Sequence, residues 1–310
     1  MKKLLVLTLV MALQLAAYGQ ESSANKNSKK GAEQVPASNP GGDPVLVGAG
    51  DIAVWGNLNG AQATARLLDK IPGTVFAVGD TAASRGRPEE FTYYYDKTWG
   101  RHKARTRPAL GNHEYEYPNA GAYFDYFGAA AGDPKKGYYS YDLGTWHIIV
   151  LNSNCADVWG GCAAGSPQEQ WLRKDLAEHP AACTLAYFHH PRFSSGKNHG
   201  SEPEMIPFWK ALYDANVEVV LAGHEHNYER FAPQDPNGVA DPVRGIREFV
   251  VGTGGKNHNY PFGPPIANSE ARDSDTFGVL KLILHAKGYD WEFIPEAGKT
   301  FTDSGSGVCH

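Results

Sequence analysis

His224 and His226 stand one residue apart in Gly223-His224-Glu225-His226-Asn227-Tyr228-Glu229-Arg230, straight after the β-branched and apolar run from Val217 to Ala222. Residues two apart diverge on a helix, so these imidazoles reach one point only from an extended or irregular backbone. The run before them predicts a buried strand, and Gly223 permits a sharp turn at its end. Four other strand-like runs finish in Gly or an aromatic residue followed by a hard ligand: Gly50-Asp51, Gly79-Asp80, Gly111-Asn112-His113 and Phe188-His189-His190-Pro191. Strand ends converging on one rim are how open α/β sheets assemble sites.

Carboxylate, amide and imidazole are donors for Mn, Fe or Zn, and a carboxylate can bridge two such ions about 3.5–4 Å apart. In this reading Asp80 is the bridging ligand, Asp51 and His226 complete one ion, and Asn112, His189 and His224 hold the other. A cation pair lowers the pKa of water and neutralises charge developing on a phosphoryl group, so phosphoester hydrolysis suits these donors. His113, His190 and His199 are then expected to face substrate, where they bind phosphate oxygens or protonate the leaving alkoxide. His258, in Gly254-Gly255-Lys256-Asn257-His258, is expected at the rim, and the remaining Asp and Glu residues on a solvated face.

These strand ends need elements to position them. The chain predicts a strand over 45–49, a helix over 61–70 stopped by Pro72-Gly73, and a strand over 74–78. Pro88 opens an aromatic helix through Phe91, Tyr94, Tyr95 and Trp99. Residues 138–141 and 145–151 alternate like a hairpin turning at Leu143-Gly144. Ser166-Pro167-Gln168-Glu169 combines an N-cap, Pro at the first helical position and Glu at the third. A strand over 184–188, a helix over 207–215 and strands over 247–251, 277–284 and 289–294 follow. Strand pairs with flanking helices give an α/β class, a four-layer αββα sandwich of two mixed β-sheets flanked by helices.

Residues 1–19 read as a signal peptide: Lys2-Lys3, an apolar run from Leu4 to Ala17, then small-residue cleavage chemistry. The run is short and interrupted by Thr8 and Gln14, and no cysteine follows it for lipid attachment, so no stable membrane anchor is expected. Residues 20–43 have the composition of a disordered linker, which leaves 44–310 as a catalytic domain. An exported chain with four cysteines predicts two disulfides and three possible pairings. Cys155 and Cys162 flank a loop-like stretch and form a local staple, leaving Cys183 with Cys309. The site of action is therefore secreted or periplasmic. The formal charge of −5 becomes two units more negative once Lys2 and Lys3 leave, which disfavours a nucleic-acid partner held through its backbone.

In order, Gly50-Asp51, Gly79-Asp80, Gly111-Asn112-His113-Glu114, His189-His190-Pro191 and Gly223-His224-Glu225-His226 resemble the motifs of the calcineurin-like metallophosphoesterase superfamily. The tail Asn227-Tyr228-Glu229-Arg230 is similar to that of its purple acid phosphatase-like branch, and the likeness runs over roughly residues 44–295. The resemblance implies an αββα sandwich with a binuclear metal centre at the strand ends. It also implies two metal ions (Fe, Mn or Zn) on Asp51, Asp80, Asn112, His189, His224 and His226, with His113 on the substrate side. Two positions depart from the pattern. The branch's Tyr three residues after the bridging aspartate is Ala83 here, and the His that many other members place two after the first aspartate is Ala53. One ion is left with three protein ligands, so weaker binding there, or a divalent rather than ferric occupant, is expected. The function implied is an exported, acid phosphatase-like hydrolase of small phosphate monoesters. A phosphodiesterase acting on cyclic nucleotides or nucleic acid, and a metal-binding protein without turnover, are the alternatives.

Overall fold

The structure is a computed structural model that describes residues 42–258 and 261–310. The expected signal peptide, and the expected linker up to residue 41, lie outside the described residues. In chain order the elements are β1 Val45–Ala49, α1 Asn59–Leu68, β2 Thr74–Val78, α2 Pro88–Glu90, β3 Thr106–Ala109, α3 Asn112–Tyr115 and α4 Gly121–Phe127. Then come β4 Tyr139–Leu143, β5 Trp146–Val150, α5 Pro167–Glu178, β6 Cys183–Tyr187, α6 Ile206–Asp214, β7 Val219–Ala222 and β8 Tyr228–Phe231. The last strands are β9 Arg247–Val251, β10 Ser269–Asp273, β11 Gly278–His285, β12 Gly288–Pro295 and β13 Ser304–Val308.

The strands form two mixed sheets, β13-β12-β11-β1-β2-β3 and β10-β8-β9-β7-β6-β5-β4. In the first sheet β1, β2 and β3 run parallel, and in the second β5, β6, β7 and β9 do. Parallel strands covered on both faces are apolar throughout, and the side-chain parity of these strands shows which layer each face meets. In β6, Leu185 and Tyr187 join one core with Leu46, Val47, Val75 and Leu280 of the first sheet. Ala186 of β6 and Val220 of β7 face the other way, into a second core with Leu172 of α5 and Phe208, Trp209 and Leu212 of α6. Sheet therefore packs on sheet, with helices outside, as expected. The parallel strands point their C-terminal ends to one rim.

Local chemistry accounts for the elements that match expectation. Ser166 Oγ accepts the Glu169 N–H at 3.3 Å and starts α5, and Pro167 occupies its first position. The expected aromatic helix from Pro88 is instead broken. α2 passes into a π-helical turn, Phe91–Tyr95, whose Asp96 N–H donates to the Phe91 carbonyl at 2.8 Å, and a 3-10 segment spans Trp99–Arg105. Phe91 and Tyr95 pack edge-on against Phe127 of α4, so ring packing rather than helical propensity sets the backbone here. Strands β8, β10 and β13 were not foreseen. β13 reads Ser-Gly-Ser-Gly-Val and has little side chain to bury, but it pairs with β12 and is followed by Cys309.

Both expected disulfides form, Cys155–Cys162 and Cys183–Cys309, and the described residues contain no free cysteine. On chain-entropy grounds the second, closing a separation of 126 residues, restrains the unfolded chain by about 5 kcal/mol against about 2 kcal/mol for the first, which closes 7. No helix among the described residues is long and apolar enough to cross a membrane. The expectation that the other carboxylates lie on a solvated face is wrong for Glu114, Asp175, Glu218, Glu225, Glu229 and Glu248, all of which are buried. Each accepts from backbone N–H, hydroxyl or imidazole groups, which is what makes burial of a carboxylate tolerable, although the second oxygen of Glu225 has no such partner.

Candidate metal centre

Three strands end in the same backbone device. After β1, β2 and β7 comes a glycine, then a residue in the left-handed region: Asp51 at φ 57°, Asp80 at φ 50° and His224 at φ 69°. Such conformations cost on the order of 1 kcal/mol or more each for residues with a Cβ, and they persist where the surroundings fix them. Here the ladder runs on past the strands: Asp51 N–H donates to Gly79 O at 3.1 Å, Ile52 N–H to Asp80 O at 3.0 Å, and Gly223 N–H to His189 O at 2.9 Å. Two glycines keep the space clear. A Cβ on Gly111 would lie 2.2 Å from Asp80 Oδ1, and one on Gly79 would lie 2.4 Å from His189 Nδ1.

The six expected ligands meet. His189 Nε2 lies 3.4 Å from Asp80 Oδ1, 3.2 Å from Asn112 Oδ1 and 3.2 Å from His224 Nδ1. His226 Nε2 lies 3.2 Å from Asp51 Oδ1, and Asp51 Oδ2 accepts the His224 N–H at 2.9 Å. One donor atom from each of Asp51, Asp80 and His189 falls within 4.8 Å of the other two. Orientation is set from behind: His189 Nδ1 faces the Val78 carbonyl at 2.9 Å, and His226 Nδ1 faces Asn257 Oδ1.

The electrostatics favour cations. Burial raises the carboxyl of Asp80, but the facing His189, Lys256, His113 and His224 overcome it and hold the group well below the usual carboxylate range. Asp51 is likewise pushed up by burial and brought below its ordinary value chiefly by His226. Burial, with His189 and His190 beside it, keeps His224 far below the imidazole range, so its ring is neutral and its lone pair is available. Asp51 Oδ1 is buried without a well-directed hydrogen bond. A crowd of carboxylates and imidazoles with an oxygen that lacks a well-directed hydrogen bond is a set that Mn, Fe or Zn fits.

The three expected substrate-facing histidines border this set. His113 Nε2 is 3.6 Å from Asp80 Oδ2, while its Nδ1 faces the Ser84 carbonyl at 3.0 Å and Glu116 Oε1 at 2.8 Å. The His190 and His199 rings lie 4.4 and 4.0 Å from that of His224. Burial and the neighbouring His189 push His190 down to about 3, and burial also lowers His199. His258 is set apart from these contacts, stacked on Phe277 at 3.5 Å.

Several residues at the centre were missed from the sequence. Lys256 Nζ reaches within 3.4 Å of Asp80 Oδ2, and Asn257 orients His226; both lie in the glycine-rich stretch where only His258 had drawn notice. Glu114 accepts the N–H groups of Asp80 at 3.0 Å, Thr81 at 2.7 Å and Gly111 at 2.7 Å, tying the β2 end to the β3 end. Three further glutamates pin the loop that carries His199. Glu248 accepts from the N–H groups of Arg192 and Phe193, Glu229 from Ser195, and Glu225 from His199 and Gly200. Ala53 and Ala83, the two departures from the family pattern, lie side by side, with Ala83 N–H donating to Ala53 O at 2.7 Å. Both are buried.

A family profile described as calcineurin-like phosphoesterase matches residues 45–228. Purple acid phosphatase 21 of Arabidopsis thaliana is 31% identical over 263 residues, which cover 77% of this chain and 58% of that protein. Purple acid phosphatase 22 of the same plant is 32% identical over 165 residues, 50% of this chain and 36% of that protein. The chain therefore spans little more than half of one such relative and about a third of the other. Among solved structures, purple acid phosphatase PPD1 from yellow lupin (Lupinus luteus) superposes with a TM-score of 0.65 at 20% identity, covering 85% of this chain and 53% of that one, a likeness of fold.

Proposed function

Because the chain belongs to the calcineurin-like phosphoesterase family, we propose that it is an exported, binuclear metal-dependent phosphatase that hydrolyses phosphate monoesters. The observation that carries this reading is the meeting of Asp51, Asp80, Asn112, His189, His224 and His226 at the strand ends, with Asp51 Oδ1 among them lacking a well-directed hydrogen bond. Asp80 would bridge two cations, with Asp51 and His226 completing one and Asn112, His189 and His224 the other. When bound, the pair supplies an activated water and neutralises charge on the phosphoryl oxygens.

The chain's own residues do the rest. Lys256, His190 and His199 offer donors to phosphate oxygens, and the dianion of a monoester has more of these to satisfy than a diester has. His113, with Nδ1 turned to Ser84 O and Glu116, presents Nε2 to the centre and is the group placed to protonate the departing alkoxide. The buried glutamates hold the His199 loop and the β2 and β3 ends rigid, so these donors are in place before substrate arrives. Ala53 and Ala83 leave one cation with three protein ligands, which favours its easier loss. Two disulfides support an oxidising compartment, secreted or periplasmic.

The test is an ester panel on natively purified protein, before and after chelation and after adding back Mn, Fe or Zn. Loss and recovery of monoester hydrolysis is expected. Diesters turning over faster than monoesters would move the assignment to a phosphodiesterase, and unchanged turnover in metal-free buffer would exclude the metal-dependent reading.

A further inference from the structure

A cavity of about 690 Å³ is tied to the metal centre through α3 and through the segment that follows β5. Tyr115, one of its lining residues, ends the short helix that begins at Asn112, and its hydroxyl accepts from Asn152 Nδ2 at 2.7 Å. The next residue along, Ser153, holds His190 Nδ1 at 2.8 Å. At the mouth stands Trp159, 76% exposed. Its loop is not loose: the Cys155–Cys162 disulfide closes it, Val158 is buried beneath it, and Val158 N–H donates to Asn154 O at 2.9 Å. A large ring is thus held in water at a fixed place, where packing of the fold does not require it.

The charge of the lining limits what can bind. Lys135 and Lys136 are matched by Asp133 and Asp157, so the cavity offers no surplus positive charge for further phosphate groups. Rings and hydrogen-bonding groups remain. We propose that this cavity is a subsite for the departing alcohol, and that the alcohol it selects carries a heteroaromatic ring, as in a nucleoside monophosphate. The proposal rests on the phosphatase reading and adds the substrate class. The ring stacks on Trp159, and the polar groups of the lining meet its edge. The subsite takes no part in the bond exchange, in which the oxygen of water replaces the ester oxygen on phosphorus and the alcohol leaves with a proton.

The decisive comparison uses adenosine 5′-monophosphate and ribose 5-phosphate, which release the same kind of primary alcohol with and without the base. For the metal-loaded protein, kcat/KM is expected to favour the nucleotide by about tenfold or more, a typical gain from base stacking. Trp159→Ala should bring the ratio near unity with ribose 5-phosphate turnover unchanged, and Trp159→Phe should keep most of the preference. No preference in the unaltered protein, or a preference that survives Trp159→Ala, overturns the subsite. Calorimetric titration with adenosine separates this from the phosphatase reading. If neither ester is hydrolysed but adenosine binds and Trp159→Ala abolishes that binding, the catalytic reading fails and the subsite stands. If esters are hydrolysed without preference and adenosine does not bind, the reverse holds.

Discussion

Two groups of histidine and aspartate among the described residues have the spacing of a metal site: Asp51, Asp80 and His189 at the rim, and His147, Asp175 and His179 between β5 and α5. Only the spacing is alike. His147 is buried with Nδ1 2.9 Å from Asp142 and Nε2 2.8 Å from Asp175, while the second Asp175 oxygen accepts from Ser140 at 2.9 Å and lies 3.3 Å from His179. Burial alone would lower His147, but the paired carboxylates win and raise it, and Asp175 is brought below its ordinary value. This is a closed ion-pair circuit around an imidazolium, and none of its three residues is in the left-handed region. At the rim the imidazoles of His224 and His190 are instead held neutral, one carboxylate oxygen lacks a well-directed partner, and both aspartates and one histidine sit in strained backbone. Unsatisfied donors, rather than proximity, separate a cation site from a salt bridge.

The sharpest way to break this contrast is to remove one residue from each group. His224→Ala is expected to lower phosphatase kcat/KM by about a thousandfold or more while moving Tm by only a few degrees, read by ester kinetics and thermal melts. Equal loss of activity and stability would place the rim with the ion-pair circuit. Asp175→Ala should do the opposite. Leaving His147 buried without its main partner should cost about 2–4 kcal/mol in denaturant titration, with metal content and turnover per folded molecule unchanged.

The circuit also has a pH signature. His147 has a folded pKa above its unfolded value, so its stabilisation is complete below about pH 6.5 and is lost as pH rises through the folded value. Melts across that window should show stability falling, and His147→Gln should flatten the fall; a profile unchanged by the substitution would contradict the pairing. The smallest expected effect is spectroscopic. Ala83→Tyr should give an iron-loaded protein a visible absorption band, and a colourless product would mean that position 83 does not reach the cation.

The rim was legible in the sequence because each of its parts is local: an apolar run, a glycine, then a ligand. The Ser166 cap and the two disulfides were legible for the same reason. Lys256 and Asn257 were not, since a glycine-rich loop has no periodicity to say where its side chains point. The glutamates were misread because a carboxylate is buried only when distant N–H groups meet it. The Glu248 contacts to Arg192 and Phe193 span more than fifty residues of chain. β13 escaped notice because small residues carry little strand preference, and pairing with β12 decides its conformation.

The most direct test is a metal count on natively purified protein, unaltered and as His224→Ala. Two transition-metal ions per chain are expected in the first, with at least one lost in the second while the fold is retained. A metal-free unaltered protein that still cleaves phosphate esters in metal-free buffer would contradict the assignment of the rim as a cation centre.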